Sequence, residues 1–98
     1  MNFNSQPTSG TLGTERAALF TNDLGREIEI LCLEFFNTGT DADVKVEVYQ
    51  TVKVAQALLS ESERFTLTEP RRMAAGEMLE AKADKNNVIT WRVNFKPV

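Results

Sequence analysis

The side chains that could do chemistry in this sequence are few, and their types rule out most catalytic designs. His is absent and Cys occurs once, so Ser-His-Asp and Cys-His nucleophilic sites cannot be assembled from this chain alone. The same two counts exclude zinc sites of the Cys/His type and any intrachain disulfide. Carboxylates, Lys, Tyr49 and hydroxyls remain. Asp41 and Asp43 flank Ala42, and Glu34 and Asp23 could approach one end of a fold. Hard cations take several such oxygens, but acidic residues in turns more often bond local backbone, and neither a metal nor a cofactor is expected. Glu61, Glu63 and Glu69 read as a solvated acidic stretch. Arg71 and Arg72 could grip a carboxylate on a partner, or guard an exposed edge. Cys32 sits in an apolar run, where a free thiol behaves as a small hydrophobe. No shaped acid–base motif is present, and the sequence reads as non-enzymatic.

The elements that would hold these residues follow from length and pattern. At 98 residues, 42% hydrophobic, the chain is expected to form one folded domain. No apolar run approaches the roughly 20 residues that cross a bilayer, and no charged-then-apolar signal opens the chain. Neither membrane insertion nor export is expected. The formal charge is −3 and the Lys and Arg residues are scattered, which argues against a nucleic-acid partner.

Residues 1–13, MNFNSQPTSGTLG, are polar and punctuated by Pro7, Gly10 and Gly13, and read as an extended arm. Phe3 and Leu12 are its candidate anchors on a neighbouring subunit. Residues 14–98 read as the folded domain, with a period close to two. A first strand is expected over Glu15–Phe20 and a long one over Arg26–Phe36. In the latter the consecutive Leu31, Cys32 and Leu33 indicate either burial on both faces or a bulge, and a place in the middle of the fold. After the Asn37-Thr38-Gly39-Thr40-Asp41 turn, Val44, Val46, Val48, Gln50 and Val52 alternate with Lys45, Glu47, Tyr49, Thr51 and Lys53. The two strands are expected to form a hairpin. Tyr49, opposite the valines, is the better candidate for a surface anchor.

Further strands are expected over Val54–Leu59 and Arg64–Thr68. Arg71–Asp84, RRMAAGEMLEAKAD, has helical composition, yet Gly76 in its middle favours a turn followed by a strand. The last strand runs Val88–Phe95 with Ile89, Trp91, Val93 and Phe95 on one face, the expected core pattern. Seven or eight short strands with turns between them make an all-β protein. The fold expected is a single antiparallel β-sandwich, Greek-key or jelly-roll-like, with the N-terminal arm extended.

Three stretches in order carry a resemblance: Ile30–Tyr49 (ILCLEFFNTGTDADVKVEVY), Phe65–Ala83 (FTLTEPRRMAAGEMLEAKA) and Val88–Phe95. They resemble small accessory virion proteins of tailed bacteriophages, with an Asn-Thr-Gly turn between strands, a Pro-bearing loop, an Ala-Gly-Glu turn and a strand ending Ala-Lys-Ala. The resemblance implies a β-sandwich, a strand over Glu77–Ala83, and a non-enzymatic capsid decoration or cement subunit. Its partners would be the major capsid protein or other virion subunits and further copies of itself, and its place the virion, assembled in the host cytoplasm. Phe3, Leu12, Tyr49, Arg71 and Arg72 would then be the contact residues. A neck, tail or fibre component is the nearest alternative. From a different class comes an immunoglobulin-like or carbohydrate-binding adhesion module, which would need an aromatic platform.

Overall fold

The computed structural model describes residues 8–40, 43–69 and 71–98. Nine strands and no helix lie within them: β1 (Ser9–Thr11), β2 (Ala17–Thr21), β3 (Ile28–Asn37), β4 (Val44–Gln50), β5 (Val52–Leu59), β6 (Arg64–Leu67), β7 (Arg71–Met73), β8 (Met78–Ala83) and β9 (Ile89–Pro97). They form two antiparallel sheets, the arrangement of a β-sandwich. One has the order β1-β9-β3-β6 with β7 also on β3, and the other the order β2-β8-β4-β5. A single core lies between their apolar faces, drawing Ile28, Leu33, Phe35, Ile89, Trp91 and Val93 from the first sheet and Phe20, Val44, Val46, Val48, Leu79 and Ala81 from the second.

The alternation from Val44 is the simplest link between sequence and packing. Val44, Val46 and Val48 are all 1% exposed or less, and burying each such side chain is worth about 1.5–3 kcal/mol before the entropy of ordering is counted. β3 occupies the interior position expected of it, with β9 on one side and β6 and β7 on the other. Its consecutive apolar residues are accommodated by a register shift between Ile30 and Cys32. The bulge turns Leu31 outward while Ile30 and Leu33 stay buried. In Met78–Ala83 tertiary pairing overrides helix propensity. β8 lies between β2 and β4, and Gly76, at φ 85°, makes the turn before it, a conformation glycine adopts without steric cost.

The structure corrects several expectations. β3 and β4 do not form a hairpin, because they belong to different sheets. The corner after β3 is tied elsewhere: Asn37 N–H donates to the Glu63 carbonyl at 3.0 Å, Ser62 N–H to the Asn37 carbonyl at 3.1 Å, and Thr38 N–H to the Val88 carbonyl at 2.8 Å. The Asn37 amide Nδ2 donates to the buried Leu59 carbonyl at 3.1 Å. These bonds carry the chain across to the second sheet instead of folding it back in the first. The valine strand also stops earlier than its pattern suggests. The chain reverses at Thr51, φ 70°, so that β4 and β5 form the hairpin, and Val52 is left 66% exposed instead of continuing the buried row.

The segment expected as an extended arm is paired with the chain's own sheet where it is described. Ser9–Thr11 pairs with Thr90–Arg92 of β9, Val93 N–H donates to the Thr8 carbonyl at 2.9 Å, and Leu12 N–H donates to the Ile89 carbonyl at 2.8 Å. Leu12 is 2% exposed, so its side chain is spent in this chain's own core and not held out for a neighbour. Phe3 lies outside the described residues.

Gly10 is required by this docking. A Cβ there would stand 3.0 Å from Trp91 Nε1 and 3.2 Å from Cε2, against the rigid edge of a side chain that is 6% exposed. Gly10→Val is expected to displace β1 from β9 and open Trp91 to water. A red-shifted Trp emission with loss of amide protection at Thr90–Val93 is the expected readout, and unchanged emission counts against the contact.

Candidate interaction surfaces

The outward residues of each sheet form the two candidate surfaces. On the second sheet, alternation places Lys45, Glu47 and Tyr49 of β4 outward, with Lys53 of β5 and Glu80 and Lys82 of β8 beside them through the β4–β5 and β4–β8 registers. Glu47 is the centre of this face. Its carboxylate accepts from the Tyr49 hydroxyl at 3.1 Å and lies 3.4, 3.8 and 3.9 Å from the ammonium groups of Lys53, Lys82 and Lys45. Arg16, from the segment before β2, stacks over the Tyr49 ring at 4.1 Å and pairs with Glu80 at 2.8 Å. Four cations thus face two carboxylates, a basic surface on a chain whose formal charge is −3.

Burial works to raise the Glu47 carboxyl. The hydrogen bonds from Tyr49 and Lys53 and the fields of Lys82 and Lys45 outweigh it, and the pKa is held below its ordinary value of 4.5. A folded-state pKa below the unfolded one means that the ionised carboxylate stabilises the fold above pH 4.5, and that this contribution is lost as pH falls through the lowered value. Glu47→Gln is therefore expected to be less stable than the parent at neutral pH, with the gap closing in acid. Urea unfolding of both proteins at pH 7 and at pH about 3 checks this; an equal gap at both would mean that the charge is not its source.

The outer face of the first sheet is a ladder of exposed ion pairs: Glu27 with Arg72 at 2.9 Å, Glu29 with Lys96 at 3.8 Å, and Glu34 with Arg92 at 3.4 Å and Arg64 at 3.6 Å. Exposed pairs of this kind contribute little each. Arg64 also lies 5.4 Å from the Phe36 ring. A shallow groove of about 440 Å³ runs beside them between Phe36, Arg64, Arg92 and β1.

The structure does not gather the expected contact residues into one patch. Tyr49 does face outward, on the second sheet. Arg71 and Arg72 are on β7, which pairs with the start of β3 in the first sheet. Arg71 Nε donates to Gln50 Oε1 at 3.1 Å, and Gln50 Nε2 donates to the Arg72 carbonyl at 2.6 Å. Arg71 therefore ties β7 to the end of β4, while Arg72 points to Glu27 on the ladder. Sequence reasoning missed the basic face as a unit. Lys45, Glu47, Tyr49 and Lys53 were legible as one alternating row, but Arg16, Glu80 and Lys82 join it only through pairings that no local pattern announces. Asp43 stands exposed, Asp41 lies outside the described residues, and Glu34 is engaged by two arginines. Among the described residues no three His, Cys, Asp or Glu side chains are grouped to hold a metal ion. Compared with protein-family models, curated proteins and solved structures, the chain matches none.

Proposed function

We propose that this chain is a non-enzymatic structural protein of a tailed-phage virion, in first place a capsid decoration or cement subunit that stabilises the head. It would act as a homo-oligomer on the major capsid protein, within a virion assembled in the host cytoplasm. The observation that carries the reading is the segment Phe65–Ala83. Its similarity to accessory virion proteins implies strand, Pro-bearing loop, Gly turn and strand, where local propensity favours a helix. The chain forms β6, β7, a turn at Gly76 and β8. This arrangement agrees with the resemblance and equally with the turn-then-strand reading from Gly76, and fold similarity lends the function only by analogy. A neck, tail or fibre component would use the same fold at lower copy number. The adhesion-module reading loses its main prop, since Trp91 is 6% exposed and offers no platform.

The test is quantitative mass spectrometry of purified particles of a phage that encodes the chain, scored as copies per major capsid subunit. A ratio near that of the capsid lattice is the expected result. A few copies per particle would move the protein to the neck, tail or fibre, and absence from the particle would overturn the virion reading.

A further inference from the structure

The two sheets end in β1, β6 with β7, β2 and β5, and a sheet edge is a row of unpaired backbone groups that proteins normally shorten, bend or charge. Three of these ends are so treated. β1 and β7 have three residues each, β6 has four with Arg64 exposed, and β2 has five with a register shift between Ala18 and Phe20. β5 is the exception. It runs for eight residues, VKVAQALL, carries one charge, and leaves Val52 66% and Leu58 61% exposed. Lys53 does not guard it, because its ammonium is drawn onto the sheet face by Glu47 at 3.4 Å and Gln56 at 2.8 Å. The register shift of the β4–β5 pair lies at Val48 and Tyr49, near the start of β5, so Ala55–Leu59 remains regular.

We propose that β5 pairs antiparallel with β5 of a second copy of this chain, about a two-fold axis near Ala57, extending the four-stranded sheet through a dimer. Charge selects both occupant and direction. Lys53 lies at one end of the strand, and Glu61 and Glu63 follow immediately after the other. In the antiparallel pair, residues 57 face each other and Gln56 faces Leu58 of the second copy, while Lys53 comes to the end at which the Ser60–Glu63 turn of the second copy carries Glu61 and Glu63. A parallel pair would set like charges side by side at both ends. The half-buried Val54, Ala55 and Ala57, which already pack against the core, would be covered by the added strand. An isologous contact of this kind closes at two copies and uses strand addition at an edge as its mode. The inference rests on the oligomeric part of the proposed function; solution mass tests it, while particle copy number tests the virion part.

Sedimentation equilibrium of the full chain from micromolar to millimolar concentration is the experiment, with hydrogen exchange at β5 alongside. A mass rising from 11.0 kDa to twice that value is expected, with protection of Ala55–Leu58 amides that grows with concentration. Two pairs of variants at exposed positions separate this geometry from general stickiness. At Leu58, on the diagonal of the two-fold axis, like charges from the two copies meet, so Leu58→Asp and Leu58→Lys should each weaken association about tenfold or more. At Val52, beside the acidic end of the second copy, Val52→Asp should weaken association while Val52→Lys should leave it equal or tighter. A chain that stays monomeric throughout overturns the proposal. So does a dimer indifferent to the Leu58 variants, or one in which Val52→Asp and Val52→Lys behave alike.

Discussion

Asn22→Asp is expected to destabilise the fold by about 4 kcal/mol at neutral pH, roughly 20 °C in midpoint for a domain of this size. The change is isosteric, so packing cannot account for it. Asn22 is 0% exposed, and its amide Nδ2 donates to the carbonyls of Arg26 at 2.7 Å, Met73 at 3.0 Å and Ala74 at 3.1 Å. Its Oδ1 accepts from Leu24 N–H at 3.2 Å. The backbone is engaged too: Asn22 N–H donates to the Glu77 carbonyl at 2.9 Å, and Gly76 N–H to the Asn22 carbonyl at 2.7 Å. One residue therefore fastens the loop after β2 to both sides of the β7–β8 turn.

A carboxylate in that place would present an oxygen to three carbonyl oxygens in a site closed to water. Burying a charge with the Leu24 N–H as its single donor costs more than losing a hydrogen bond. The same argument fixes the pH dependence of the variant. Its carboxyl, buried among acceptors, has a folded-state pKa above the unfolded value, so the protonated form, which regains one donor, is the one the fold prefers. Stability of the variant should be greatest below the unfolded pKa and fall as pH rises through the folded one. Chemical unfolding of parent and variant across this range is the measurement. A difference of less than about 1 kcal/mol at pH 7 would mean that the three carbonyls find other donors, water included.

Why Asn22 was illegible while Val44, Val46 and Val48 were legible is a matter of range. A strand with one wet face writes its burial into its own alternation, and the bulge at Leu31 is announced by a run of apolar residues that alternation cannot place. Asn22 reads only as a turn former in Thr21-Asn22-Asp23-Leu24-Gly25, because its acceptors Met73 and Ala74 are some fifty residues away. Asn37 is the same case, and it is also why β3 and β4 were misread as a hairpin. Locally, Asn-Thr-Gly is a hairpin signal. The bonds that turn it into a corner between sheets come from Leu59, Glu63 and Val88. The basic face around Glu47 was half legible for the same reason, one strand of it being periodic and the rest brought in by strand order.

Leu12 gives the sharpest division between the two roles considered for the N-terminal segment. Leu12→Ala is expected to cost about 3 kcal/mol, the usual penalty for a large-to-small change in a closed core. The residue stands where the segment crosses from one sheet to the other. Its N–H donates to the Ile89 carbonyl at 2.8 Å, its carbonyl accepts from Asn87 N–H at 3.1 Å, and the next carbonyl, of Gly13, accepts from Ala83 N–H at 3.0 Å. The side chain belongs to the same cluster as Ile89 and Trp91. If Leu12 works within its own chain, the stability difference between parent and variant must be independent of protein concentration, because a contact within one chain is not subject to mass action even where association shifts both midpoints together. If it were instead an anchor on a neighbour, the loss would fade on dilution to monomer, where parent and variant would become equal. Urea unfolding at two protein concentrations far apart distinguishes the outcomes. A concentration-independent loss would leave oligomer formation to surfaces outside the core, the unguarded edge at β5 and the basic face around Glu47, because Leu12, the one large apolar side chain between Thr8 and Gly13, would already be committed to folding.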